Sequence, residues 1–370
     1  MLMFFYNSGL SGGPRISTSL ASTLQARGEW QIDAILPSEG ETAEWLQKAG
    51  VRVRILPREP LRATWRPTPH FKYWFKFASK VSAYRAAIRE AQPSLVHVDS
   101  LLNLPALAAA KLSGVKSLLH VQEVAHGAAG RSLAAIAGAL ADRIVCVSEA
   151  AAQPFGDKHS KKLAVVANGV RIPDAGPYRP DGWVTFVGRL SADKNPVAFV
   201  QAAGQVYADE QTRGHEARFR IVGLTVPGRD RYEERLQRAI RQSGIAPQSF
   251  SFLRDRKDVG ELLGESSIVV NCSAGPESCG LAVLEAVAAG VPVVVPRAGA
   301  FPEYIRHGET GLLYQPGNVQ EMAECILRLL REPGYAEGLG RAARELACRQ
   351  FREERMVEEM VKQYRVLLGR

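Results

Sequence analysis

Residues 276–295 read PESCGLAVLEAVAAGVPVVV, an apolar run holding two glutamates: Glu277 stands just before an expected helix start near Gly280, and Glu285 lies inside that helix. The run passes into PVVVP (292–296), a β-branched strand signal, so helix gives way to strand. The same alternation extends outward along the chain. Strands are expected near 2–6, 31–36, 51–55, 94–98, 116–121, 143–147 and 163–167, and again at 183–188, 218–223, 250–253, 267–271, 292–296 and 311–314. Helical patterns fill most of the intervals, the signature of parallel sheets covered by helices. Between the two series lies RIPDAGPYRPDG (171–182), whose three prolines and two glycines mark a linker. The expectation is an α/β protein with two Rossmann-like domains, 1–172 and 173–348. The last segment, 349–370, has apolar residues at helical spacing and is expected to form a helix packing back on the first domain.

A chain of 370 residues with 46% apolar and 23% charged residues has the size and composition of a two-domain globular protein. Its five cysteines form neither a C-x-x-C pair nor a dense framework, and an odd number argues for free thiols in a reducing, cytoplasmic compartment. MLMFFY at the start lacks a basic leader and reads as a first strand. The longest near-apolar run, LAAIAGALA (133–141), is far below the ~20 residues of a membrane span. The net charge of +9 is concentrated, since residues 51–90 hold ten Lys/Arg against two Glu.

The spacing of the two glutamates limits their chemistry. The eight-residue step from Glu277 to Glu285, mostly helical, covers roughly 10–12 Å at ~1.5 Å per helical residue. Glycosidase carboxylate pairs stand about 5–5.5 Å or about 6.5–9.5 Å apart, so an acid/base pair acting on one bond does not fit. Two acceptors flanking the positive end of a helix suit an elongated ligand with hydroxyls at both ends and an anion in its middle, the outline of a nucleotide sugar. The amides of Gly280, Leu281 and Ala282 would face the phosphates. The competing reading makes Glu277 a helix-dipole partner and Glu285 an ordinary helical residue, but the apolar neighbours of Glu285 make a partnerless carboxylate costly.

Two further elements agree. WVTFVGRLSADKNP (183–196) runs a strand into Gly188 and then sets Arg189 and Lys194 on the turn before a helix, where two cations can neutralise a diphosphate. Ser11-Gly12-Gly13 opens a helix after the first strand, where glycine permits a tight turn and close backbone approach. Ligands of paired α/β domains bind outside the carboxyl ends of the strands, which directs attention to these turns and to a cleft between domains.

Taken together, SGG (11–13), ADRIVCVSE (141–149), VANGV (166–170), VGRLSADKN (187–195) and the E-x7-E segment with AAGVPVV resemble glycosyltransferase family 4 over nearly the whole chain. That resemblance implies the GT-B fold and a retaining transferase using a UDP- or GDP-sugar. Glu277 would hold donor-sugar hydroxyls, Glu285 the ribose, Arg189 and Lys194 the leaving diphosphate. Gly12 and Gly13 would let the first domain approach the sugar and acceptor, and residues near Leu253 would flank the base. The family often carries phosphate charge on cationic side chains, and the absence of a D-x-D pair fits metal independence and no cofactor. Where the family often has His followed by an acid, LLHVQEVAHG carries Gln122-Glu123, with His120 and His126 as candidate substitutes. Cys279 stands where an aromatic residue is common and reads as a packing residue.

The stretch LRATWRPTPHFKYWFKFASK (61–80) mixes basic and aromatic residues, with Lys72, Lys76 and Lys80 on one helical face, a pattern for an anionic membrane surface. The plainer reading sends its aromatics into a core. Nucleic acid is not expected, because no recognition motif is present. The sequence thus points to transfer of a sugar to a glycan or lipid-linked glycan acceptor, at the cytoplasmic side and in peripheral contact with the membrane. The alternatives are a nucleotide-sugar epimerase of similar fold and a binding protein without turnover.

Overall fold

The computed structural model describes residues 1–9, 12–57, 67–174, 176, 178–225, 230–256 and 258–370, and the side chains of 67–76 and 230 lie outside that description. The chain divides into two compact units, Met1–Gly169 with Glu354–Arg370, and Val170–Glu353.

The first unit is built on seven parallel strands: β1 (Leu2–Phe4), β2 (Asp33–Leu36), β3 (Arg52–Ile55), β4 (Val96–Asp99), β5 (Ser117–Val121), β6 (Arg143–Cys146) and β7 (Leu163–Val165). They lie in the order β3-β2-β1-β4-β5-β6-β7. Continuous burial along β1, β4 and β5 explains their near-unbroken apolar sequences, since helices cover both faces of such a sheet. The helix Glu353–Leu368 belongs to this unit from Glu354 on. Its Tyr364 hydroxyl meets His97 Nδ1 at 2.8 Å, Gln363 accepts from Arg143 Nε at 3.0 Å, and Met356 lies beneath the Gly169 amide.

The second unit holds β8 (Trp183–Arg189), β9 (Phe219–Leu224), β10 (Phe250–Arg254), β11 (Ser266–Val270), β12 (Val293–Pro296) and β13 (Leu312–Tyr314), all parallel in the order β10-β9-β8-β11-β12-β13. Its core forms where the helix Pro196–Thr212 lays Val197, Phe199, Val200 and Val206 on β8 and β9. Phe199 sits between Phe186 at 6.0 Å and Phe219 at 6.5 Å. Each such buried ring contributes roughly 1.5–3 kcal/mol, which anchors the helix that follows the Lys194 turn.

In each sheet the strand order reverses beside the first strand, between β1 and β4 and between β8 and β11. Loops leaving such neighbours diverge above the carboxyl edge and open a crevice there. Because Phe186 pairs with Val270, the loops after β8 and β11 start side by side. These are the loops that carry Lys194 and Glu277.

All five cysteines are free thiols. Among the described residues no helix is long and apolar enough to cross a membrane. The basic aromatic stretch expected to touch a membrane lies mostly outside the description: 61–66 entirely, and 67–76 as side chains, although a helix spans Pro67–Ala91.

Candidate functional site

In the second unit the loop after β8 folds back on itself before the helix Pro196–Thr212. Asn195 takes the left-handed conformation (φ 50°) ahead of Pro196, a state asparagine tolerates better than most residues. Lys194 projects from this turn to Glu277, which follows β11, and Ser273 donates to the same carboxylate oxygen, Oε1. The Glu277 side chain is 11% exposed and that of Lys194 23%, so the pair lies at the edge of solvent. Arg189, at the end of β8, bonds Asp193 at 2.7 Å with both side chains about half exposed. Burial alone would raise the Asp193 carboxyl, yet hydrogen bonding and the charges of Arg189 and Lys194 hold it below its ordinary range.

Glu277 is fixed through its backbone as well. Its carbonyl accepts from the Ala300 amide at 2.9 Å, and Gly299 (φ 60°) lies so close that a Cβ there would stand 2.4 Å from that oxygen. Three residues on, Gly280 (φ 69°) turns the chain into the helix Leu281–Ala289, and a Cβ on it would meet the Phe301 ring at 2.4 Å. Glycine is required here by both its dihedral and its neighbour. The first bonds within the helix run from Val283 and Leu284 to the Gly280 carbonyl, so the amides of Leu281 and Ala282 precede them and point out of the amino end. Leu281, Ala282, Glu285 and Ala289 share the less buried face while Val283, Leu284, Ala286 and Val287 enter the core. Glu285 thus sits one turn along the open side from the amino end, half-buried. Gly188 closes β8 against the Phe186 ring, and Leu253 is half-buried on the edge strand β10. This unit therefore gathers Arg189, Lys194, Glu277, Gly280, Leu281, Ala282 and Glu285 on the loops and helix start that follow β8 and β11.

In the first unit, Gly12 (φ 37°) opens the helix Gly12–Ala26. Gly13 faces Gln122, whose Oε1 would stand 3.0 Å from a Cβ at that position. The bare Cα at Gly13 thus admits a protein side chain, which differs from the approach to a ligand expected of it. Gln122 Nε2 donates to Ser17 Oγ at 2.7 Å and to Asp99 Oδ1 at 2.8 Å, and Glu123 accepts from Ser100 Oγ and the Leu101 amide. Burial first, then the neighbouring Glu123 charge, pushes the Asp99 carboxyl up to about 7, and burial raises Glu123 too.

The two histidines part ways. His120 is 1% exposed on β5, in edge contact with His97 at 5.3 Å, and burial lowers its imidazole to about 4. Expected as a substitute acid/base group, it lies in the structure buried against the His97 ring. His126 is exposed and precedes the helix Gly127–Leu140. Sequence reading missed Ser273, Gly299, Ser17 and Asp99. Only Ser273 left a signal, a hydroxyl residue at the carboxyl end of a strand within four residues of Glu277.

Comparison with known proteins bears on the family and the fold. Residues 11–169 match the family model described as a glycosyl transferase 4-like domain, and residues 174–346 match glycosyl transferases group 1. Among curated relatives, N-acetyl-alpha-D-glucosaminyl L-malate synthase of Bacillus anthracis is 39% identical over 108 residues, 29% of this chain and 28% of that protein. D-inositol 3-phosphate glycosyltransferase of Acidothermus cellulolyticus is 32% identical over 186 residues, 50% of this chain and 41% of that protein. The chain thus spans less than half the length of these relatives. The structure of Anabaena HepE in complex with UDP and glucose superposes with a TM-score of 0.81 at 19% identity, covering 98% of both chains. Sucrose-phosphate synthase of Thermosynechococcus elongatus gives 0.77 at 18% identity, covering 100% of this chain and 98% of that one. The architecture is that of the GT-B glycosyltransferases.

Proposed function

The chain belongs to the family 4 glycosyltransferases, and we propose that it moves a sugar from a nucleotide diphosphate donor to a hydroxyl of a glycan or lipid-linked glycan, with retention at the anomeric carbon. The observation that carries this reading is the joined set of Lys194, Glu277 and Ser273 beside the amino end of the helix Leu281–Ala289. UDP and glucose in the HepE complex support a nucleotide-sugar donor.

On this reading the donor diphosphate rests against the amides of Leu281 and Ala282, where the helix dipole favours anions. Lys194 has three donor hydrogens, so it holds Glu277 and a phosphate oxygen together. Arg189 supplies the second cation. As the bond from the anomeric carbon to the diphosphate lengthens, negative charge gathers on the leaving group, and these preorganised groups stabilise it with no metal assigned a part. Glu277 Oε1 is occupied by Lys194 and Ser273, which leaves Oε2 for a donor-sugar hydroxyl. Glu285 takes the ribose hydroxyls, and Leu253 borders the base. In the first unit, Gly12 at the start of the helix Gly12–Ala26 and the exposed His126 are assigned to the acceptor. The acceptor hydroxyl attacks the face the diphosphate leaves, and its proton passes to the departing phosphate oxygen. The enzyme works at the cytoplasmic face, with residues 61–80 meeting the anionic surface.

The test is release of nucleoside diphosphate from a panel of UDP- and GDP-sugars. One donor is expected to hydrolyse slowly without acceptor. Conversion of the sugar with no diphosphate released would replace the transferase with an epimerase, and binding with neither reaction would leave a carbohydrate-binding protein.

A further inference from the structure

The Lys194 turn is held from below by the segment that carries Glu277. The Cys272 thiol, 3% exposed, lies 3.3 Å from the Lys194 carbonyl and 3.1 Å from the Asn195 carbonyl, and donates to both. Two residues on, the Ala274 amide donates to the Asp193 carbonyl at 2.9 Å. Three successive carbonyls of the turn are therefore gripped by 272–274, while Ser273 between them bonds the Glu277 carboxylate. Beside the thiol is a cavity of about 140 Å³ lined by Asn195, Ala198, Tyr314 and Met322 among others, and within the turn the Lys194 and Asn195 amides donate to the Ser191 carbonyl. A left-handed Asn195 ahead of a proline holds its shape only where its surroundings enforce it. Burial keeps the thiol well above its ordinary range and hence protonated, able to donate.

We propose that Cys272 is a positioning residue for transfer: its S–H, shared between the Lys194 and Asn195 carbonyls, fixes the turn so that the Lys194 ammonium meets both Glu277 and the donor diphosphate. The proposal rests on the reading of Lys194 given above. A misplaced cation costs rate in the step where charge develops, while much of the donor's binding surface is untouched.

The experiment compares Cys272→Ala with Cys272→Ser, similar in volume and different in the donor group, by steady-state release of nucleoside diphosphate. Ala is expected to lower kcat about tenfold with KM for the donor within about twofold, and Ser to recover most of the loss. Should Ala fail to fold, Cys272→Val against Cys272→Thr makes the same comparison with matched shapes. Each variant is then combined with Lys194→Ala. If Cys272 acts through Lys194, its substitution adds no further loss in that background. Unchanged kcat in Ala, no recovery in Ser, or additive losses in the double variant would overturn the proposal. Full activity in Lys194→Ala alone would instead remove the role given to Lys194, and with it both claims.

Discussion

Replacing Glu277 by glutamine separates the binding of the nucleotide from the chemistry. In the structure this carboxylate takes the Lys194 ammonium and the Ser273 hydroxyl on one oxygen, with 11% of its side chain exposed. A hydrogen bond to a charged group is worth about 1.5–3 kcal/mol. The amide keeps one acceptor oxygen for Lys194 or Ser273, so the net loss of stability should be about 1–2 kcal/mol, or a fall in Tm of about 2–8 °C for a domain of this size. The kinetic effect should be larger, because Lys194 loses its anchoring charge and the donor sugar loses a charged acceptor as the bond breaks. A fall in kcat of about 100-fold, near 2.7 kcal/mol, is expected. The Kd for free nucleoside diphosphate should stay within about threefold, since Glu277 does not touch the phosphates in this scheme. Calorimetric titration with UDP and GDP, paired with single-turnover hydrolysis of the matching donor, reads both quantities. Equal turnover in the variant, or parallel losses in Kd and kcat, would refute the separation.

Lys194→Ala should weaken nucleoside diphosphate binding about tenfold or more, checked by the same titration, because a charge-assisted contact disappears. Gly280→Ala should lower stability by about 2–4 kcal/mol, since it adds left-handed strain to a collision with Phe301, and Phe301→Leu in the same chain should recover part of the loss in a denaturant melt. Stability should also depend on pH in two opposed ways. The folded state lowers His120 to about 4, so its contribution is fully present above the unfolded value near 6.5 and is lost as pH falls toward 4. Asp99 is raised to about 7, so its contribution is fully present below the unfolded value near 3.8 and is lost as pH rises through 7. Asp99→Asn should therefore gain stability relative to the parent chain at pH 8 compared with pH 5, and a difference that is flat or reversed between those pH values would remove this account of the buried acid.

Much of the fold was legible because parallel strands buried on both faces leave unbroken β-branched runs, and all thirteen expected strands appear within a residue or two of their expected positions. The helix start at Gly280 was equally plain, since a glycine before an Ala/Leu/Val run is a local signal. The partners were not legible. Lys194 and Glu277 are 83 residues apart, and only the adjacency of β8 and β11 joins them. Gly13 looked like room for a ligand, whereas the side chain that fills its space, Gln122, arrives from β5 across the sheet. The burial of His120 was hidden for a related reason. Alternation along a strand tells which face a residue takes, and says nothing of how deeply it is buried. The helix Glu353–Leu368, from the far end of the chain, meets His97 through Tyr364, and His97 packs edge-on against His120.

The most direct test is a crystal structure of the chain with the nucleoside diphosphate that it binds. The account predicts the Lys194 ammonium within hydrogen-bonding distance of a phosphate oxygen, the Leu281 and Ala282 amides facing the diphosphate, and the Glu285 carboxylate on the ribose hydroxyls. A nucleotide bound away from this helix start, or a ribose that Glu285 does not touch, would contradict it.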